Sequence, residues 1–197
     1  MCSLLKTNLL NSINAKENIL NSKEFNSKFQ QALDCVLTAY ENGGRLYIAG
    51  NGGSAADAQH LAAEFVSKLA RDRAPIPAEA LTVDTSIITA IGNDYGYDQV
   101  FSRQVEGKMA SNDIFLGIST SGNSVNIINA IVECKKRNIK TIAFTGFNGG
   151  KLKNITDHCI IAPGNRTSVI QEIHILLAHT LCEYIENNLN LGEKKCH

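Results

Sequence analysis

One segment constrains this chain more than any other: Ile114-Phe115-Leu116-Gly117-Ile118-Ser119-Thr120-Ser121-Gly122-Asn123-Ser124. An apolar run ends in a loop of small hydroxyl and glycine residues. A helical pattern then starts in Val125-Asn126-Ile127-Ile128-Asn129-Ala130-Ile131. A strand turning this tightly into a helix gathers backbone N–H groups and hydroxyls around the helix N-terminus. The positive end of the helix dipole points to the same place. The loop holds no Lys or Arg, so neutral donors would hold an anion there. That suits a sugar phosphate better than a nucleoside triphosphate with its metal. The spacing matches neither the nucleotide P-loop nor the dinucleotide fingerprint.

The same alternation recurs along the chain. Residues up to about Gly43 read as helix, broken near Asn21-Ser22, with Phe25, Phe29, Leu33, Val36, Leu37 and Tyr40 at helical spacing. Arg45 to Ala49 reads as a strand, and Gly50-Asn51-Gly52-Gly53-Ser54 as a turn with Ser54 as helix cap. A helix from Ala55 to about Leu69 follows, then a short strand from Ala78 to Val83. Further strands are expected at Ile114 to Ile118, Thr141 to Thr145 and His158 to Ala162. A last helix spans about Ser168 to Glu186. Strands alternating with helices imply a parallel sheet with helices on both faces. Ligands of such sheets lie beyond the carboxyl ends of the strands, where both glycine-hydroxyl loops fall. Residues 1–44 form an N-terminal helical arm and residues 45–197 the domain proper, as one structural unit.

Composition excludes several functions. The 197 residues carry 19 Lys+Arg and 19 Asp+Glu, so the formal net charge is zero, which argues against nonspecific nucleic-acid binding. No apolar run reaches membrane-spanning length, and the N-terminus lacks a signal core, so a cytoplasmic protein is expected. The six cysteines form no C-x-x-C pair and read as structural thiols.

Chemistry concentrates on two helices. His60 and Glu64 lie four apart and share a face. Such a pair is by itself a common surface ion pair. Gln171, His174 and His179 interrupt an otherwise apolar last helix, and buried polar groups there need partners. Gln171 and His179, eight apart, stand about 12 Å apart along the axis and roughly on one face. His174 is off that face and is expected to pack locally. Either these groups form a hydrogen-bonded network or subunit contact, or His60, Glu64, Gln171 and His179 converge on a site. Such a set suits a divalent metal such as zinc, and an imidazole facing a carboxylate suits proton transfer at carbon. Asn93-Asp94, in Gly92-Asn93-Asp94-Tyr95-Gly96, reads as a polar turn with Asx chemistry between helical stretches.

These segments together resemble the SIS (sugar isomerase) domain family, and within it the phosphoheptose isomerases. The resemblance runs from the N-terminal helices to about Glu186. It is carried by Ala49 to His60, Gly92 to Gly96, Gly117 to Ser124 and Ile170 to His174. It implies a five-stranded parallel α/β sandwich of flavodoxin-like type. It also implies conversion of sedoheptulose 7-phosphate to an aldoheptose 7-phosphate through an enediol, for heptose-nucleotide and surface-glycan synthesis. Ser119, Thr120, Ser121 and Ser124 would hold the phosphate, and Asn51, Gly52, Gly53, Asn93 and Asp94 the sugar. His60, Glu64, Gln171 and His179 would bind one zinc ion per subunit, with Glu64 and His179 as the proton-transfer pair. Glu64 and Gln171 would also touch substrate. The resemblance further implies a homotetramer with sites between subunits.

Two positions depart from the family pattern. Lys68 and Val169 stand where arginine is usual, and lysine keeps the charge without the bidentate geometry. The rival readings are a non-catalytic SIS protein associated with the replication initiator, a sugar-sensing regulator domain, and an isomerase of another sugar phosphate. The first of these groups lacks the catalytic Glu and the last-helix His, both present here. The second needs a DNA-binding module, and no basic recognition helix precedes residue 45.

Overall fold

Five short apolar runs become the five strands of one parallel sheet. The computed structural model describes residues 2–190, so Cys196 and the rest of the C-terminal tail lie outside the described residues. The strands are β1 (Leu46–Gly50), β2 (Ala78–Ala80), β3 (Ile114–Ser119), β4 (Lys140–Thr145) and β5 (His158–Ile161), in the order β2-β1-β3-β4-β5. Every neighbouring pair is parallel, with Ile48 opposite both Ala80 and Leu116, and Leu116 opposite Ile142. Every residue of β1 and β3 is buried, as continuous apolar strands covered on both faces should be.

Alternating side chains feed two cores. Leu46, Ile48, Leu116, Ile118 and Phe144 point into one, with α2 (Lys23–Glu41), α3 (Gly53–Val66) and α7 (Thr167–Asn188). Tyr47, Ala49, Phe115 and Ala143 point into the other, with α5 (Ser102–Lys108) and α6 (Val125–Lys136). The result is the expected three-layer sandwich. Helix α1 (Ser3–Asn21) packs on α2 and α7, and buries only Ser12 and Ala15. The expected break between the first two helices is at Ser22, whose hydroxyl accepts the Phe25 N–H at 3.1 Å. All five described cysteines are free.

Several boundaries differ from the sequence expectation, each for a local reason. Ser54 does not cap α3; Gly52 does, at φ 55°, a conformation that starts the helix earlier and leaves Ser54 buried inside its first turn. Helix α3 ends at Val66 rather than near Leu69. The Arg73 guanidinium takes the Glu64 and Phe65 carbonyl oxygens there, at 2.8 Å each. Strand β2 stops at Ala80 because Asp84 already caps α4 (Thr85–Tyr95), accepting the Ile87 N–H at 2.9 Å. Asn93 and Asp94 do not form a turn between helices. They occupy the last turn of α4, whose Ile87, Ile88 and Ile91 carry the helical period up to Tyr95 and the stop at Gly96.

His174 packs locally, as expected. It is 1% exposed, its Nε2 lies 2.9 Å from the Thr145 carbonyl oxygen, and its Nδ1 is buried without a partner among the described residues. Burial pushes its pKa down to about 4, against the opposing pull of the Thr145 carbonyl. The unfolded chain therefore binds a proton between about pH 6.5 and 4 that the folded chain does not. Stability is present above this window and is lost as pH falls through it. At about 1.4 kcal/mol per pH unit, the window corresponds to about 3 kcal/mol. Chemical denaturation between pH 7 and 4 should show this loss. His174→Gln, which keeps a donor for Thr145 and cannot be protonated, should show a slope shallower by about that amount; equal slopes would refute the assignment.

Candidate active site

The chain leaves β1 in one direction to form β2 and returns on the other side to form β3, so the order reverses between β1 and β3. A crevice opens where the two connections part. The loops that follow these two strands are the two glycine-hydroxyl loops. They are tied across the crevice by paired amides. Asn51 Nδ2 donates to Asn126 Oδ1 and Asn126 Nδ2 to Asn51 Oδ1, both at 2.9 Å, while the Tyr97 hydroxyl donates to Asn51 Oδ1 at 3.1 Å.

The second loop is built to leave a helix end open. Ser124 occupies the N-cap of α6 but makes no capping bond, because its hydroxyl lies 2.8 Å from that of Ser119. A serine here would ordinarily satisfy a first-turn N–H. Those donors thus have no side-chain cap and point, with the dipole, into the crevice. The loop is held from behind. Gly122, at φ 66°, lets its backbone lie against Gly149 and Gly150, where a Cβ would collide with the Gly149 carbonyl. Its own carbonyl accepts Leu152 N–H at 3.1 Å, and Lys151 N–H donates to Asn123 Oδ1 at 3.1 Å. Ser121 is exposed and its hydroxyl accepts the Asn123 N–H. Thr120 is half-buried beside it. The first loop is likewise uncapped by any side chain, since Gly52 stands at the N-cap of α3.

Helices α3 and α7 lie side by side and run the same way. Gln171 Nε2 sits against Gly53, so close that a Cβ there would come within 2.5 Å of it. Further along, the His60 and His179 rings meet edge to face with centroids 5.1 Å apart. At the far end, Glu186 accepts the Leu69 and Ala70 N–H groups. His60 Nε2 is 3.0 Å from Glu64 Oε1, and one ligand atom from each of His60, Glu64 and His179 lies within 4.8 Å of the others. Residues 119 positions apart in sequence thus share one cluster, half-open to solvent.

Two imidazole nitrogens and one carboxylate oxygen are a donor set that fits a divalent metal ion. Donors each about 2.1 Å from a shared tetrahedral ion stand roughly 3.4 Å apart. The His60–Glu64 pair, at 3.0 Å, is near that spacing already, and all three donors lie within 4.8 Å of one another. One turn before His60, Asp57 has a buried Oδ2 without a partner among the described residues. Burial raises its pKa, with the charge of His60 opposing.

The remaining expected residues fall elsewhere. Gln171 faces Gly53 at the loop end of α7, about 12 Å along the axis from His179. Asn93 and Asp94 are exposed on α4 and bonded to each other at 2.8 Å. Lys68 is exposed, 4.0 Å from Asp72, and Val169 is buried in the first core. Sequence reasoning missed Asn126, Tyr97, Arg73 and Glu186. Asn126 did leave a signal, as a polar residue on the apolar face of α6 that also carries Ile127, Ala130 and Ile131. The Arg73–Glu186 contact left none.

A family model described as SIS domain matches residues 13–146. A protein of Aneurinibacillus thermoaerophilus named phosphoheptose isomerase is 48% identical over 186 residues, covering 94% of each chain. One of Campylobacter jejuni named phosphoheptose isomerase 2 is 48% identical over 95% of this chain and 93% of its own. Among solved structures, a phosphoheptose isomerase from Neisseria gonorrhoeae superposes with a TM-score of 0.86 at 42% identity. It covers 93% of this chain and 97% of that one. Another, from Francisella tularensis, gives 0.88 at 38% identity, covering 95% and 100%.

If the open end of α6 anchors a phosphate, Ser121→Ala and Ser124→Ala should each raise KM for a sugar-phosphate substrate by an amount equivalent to roughly 1–2 kcal/mol. Steady-state kinetics would show this, and an unchanged KM in both variants would remove the loop from binding.

Proposed function

The chain belongs to the SIS-domain family, and we propose that within it this protein is an aldose–ketose isomerase converting sedoheptulose 7-phosphate to D-glycero-D-manno-heptose 7-phosphate. The observation that carries this reading is the meeting of His60, Glu64 and His179 from two distant helices. A phosphate-binding fold alone does not need that cluster, and a non-catalytic binding protein would have no use for it. The names and identities of the relatives point to the same substrate. The product belongs to heptose-nucleotide and surface-glycan synthesis, a cytoplasmic task in line with the absence of any described helix long and apolar enough to cross a membrane.

Isomerisation moves one proton between C1 and C2 and another between the two oxygens. In this reading the phosphate rests on Ser119, Thr120, Ser121, Ser124 and the α6 N-terminus. Asn51, Gly52, Gly53, Asn93, Asp94 and Gln171 hold the sugar hydroxyls. Glu64, the less exposed partner of the His60–Glu64 pair, accepts the carbon proton and returns it to the neighbouring carbon. His179 gives and takes the oxygen proton across the enediol. His60, Glu64 and His179 would hold one zinc ion per subunit, which when bound supplies Lewis acidity toward a sugar oxygen, while Gln171 stays at the loop end with the sugar.

Two surfaces support assembly. Helix α1 exposes Leu4, Leu5, Leu9, Leu10, Ile13 and Leu20, and α4 buries no residue at all despite its three isoleucines. Both are apolar faces of the kind that subunit contacts cover. A homotetramer whose sites form between subunits would cover them and would bring Asn93 and Asp94 of α4 to a neighbouring site. Sedimentation near neutral pH should show a tetramer; a stable, active monomer would refute both the assembly and the shared site.

The test of function is incubation with sedoheptulose 7-phosphate, followed by NMR for a new anomeric signal. Glu64→Gln should keep the fold and bind substrate but abolish turnover, since an amide cannot accept the carbon proton. Solvent deuterium should enter the sugar with the wild type and not with the variant. Purified protein should carry about one zinc per subunit, and chelation should lower activity. Substantial turnover by Glu64→Gln would take Glu64 out of the mechanism.

A further inference from the structure

Beyond the cluster, a buried ion pair and its hydrogen-bond partners form one network at the far end of α3 and α7. The Arg73 and Glu186 side chains are 5% and 1% exposed, with Arg73 Nε 2.8 Å from Glu186 Oε1. The other guanidinium nitrogens donate to the carbonyls of Glu64, Phe65 and Ala74 at 2.8, 2.8 and 3.1 Å. Glu186 in turn accepts the Leu69 and Ala70 N–H groups at 3.0 and 3.3 Å. Burial alone would raise the Glu186 carboxyl; these N–H groups and Arg73 hold it below its ordinary value.

The placement is specific to the site. One guanidinium bond ends on the main-chain oxygen of Glu64 itself. Glu186 lies seven residues after His179, hence nearly on the same face of α7. The network therefore ties the backbone that carries Glu64 to the helix stripe that carries His179. It does so at the C-terminus of α3, where a cation is favoured and where the Phe65 carbonyl, which also accepts the Ile76 N–H at 3.0 Å, anchors the chain that follows.

We propose that Arg73 and Glu186 are the positioning pair that sets the distance and angle between Glu64 and His179. The kinetic consequence rests on the isomerase reading; the geometric one does not. Proton transfer demands placement within about half an ångström, and a displacement of about 1 Å can cost roughly a hundredfold in rate. The phosphate loop lies at the opposite end of α3, so substrate anchoring should be spared. Lysine, a single point donor, cannot span Glu186 and three carbonyls.

The test compares Arg73→Lys and Glu186→Gln with Met109→Ala, which cuts into the core on the other face of the sheet and touches no site residue. All are studied at a temperature where circular dichroism shows them folded. For the two pair variants, kcat for sedoheptulose 7-phosphate per folded molecule should fall about tenfold or more, with KM changed less than about threefold. The NOE between the His60 and His179 rings should weaken. Met109→Ala should match the wild type in kcat and NOE despite a lower Tm. Wild-type kcat and NOE in both pair variants would overturn the proposal. Failure of both to fold where Met109→Ala folds would also overturn it, by assigning the pair to the fold as a whole. Absence of turnover in the wild type would sink the isomerase reading, and the NOE comparison would still decide the positioning.

Discussion

The parallel packing of α3 against α7 is the contact on which the rest of the site depends. The two helices are joined at three levels: Gln171 on Gly53, His179 on His60, and Glu186 on Leu69 and Ala70. Parallel neighbours are what a sheet of this topology provides, because both helices start at the carboxyl edge of the strands and run back along the same face. The sheet order β2-β1-β3-β4-β5 thus delivers two chemistries from one arrangement. Open helix N-termini lie at the edge, and a cluster of nitrogen and oxygen donors lies partway down one face.

Both uncapped helix ends arise from small residues used against their ordinary habit. Ser124 is a strong capping residue, yet its hydroxyl turns to Ser119. Gly52 holds the N-cap position of α3 with no side chain to offer and permits the sharp entry into the helix. An end left without a side-chain cap is unfavourable in isolation and becomes favourable when an anion supplies the missing acceptor. The Asn51–Asn126 amide pair then fixes the two ends relative to each other. The same division of labour holds on the helices. Polar groups that face the cluster are half-open, whereas those behind it, Arg73 and Glu186, are fully enclosed and satisfied.

Buried polar residues proved the most informative and the least readable part of the sequence. His174 could be set apart from His179 by helical phase alone, and it does pack into the core on the Thr145 carbonyl. Asn126 was visible as a polar interruption of an apolar face, but its partner, 75 positions away, was not. Asn93 and Asp94 looked like a turn because Asn, Asp and Gly favour turns; the isoleucine period of α4 prevailed.

The sequence by itself determined the alternation of strands and helices, the two glycine-hydroxyl loops at one sheet edge, and the pairing of His60 with Glu64. These follow from local rules: apolar runs bounded by glycine, and side chains four apart on a helix. The Ser22 break between the first helices was legible for the same reason. Only the tertiary structure decided that His179 meets His60, that Gln171 rests on Gly53, and that Arg73 closes the end of α3 onto Glu186. Such contacts join residues more than a hundred positions apart. They depend on which helices the sheet order sets side by side, and periodicity within one segment carries no information about that.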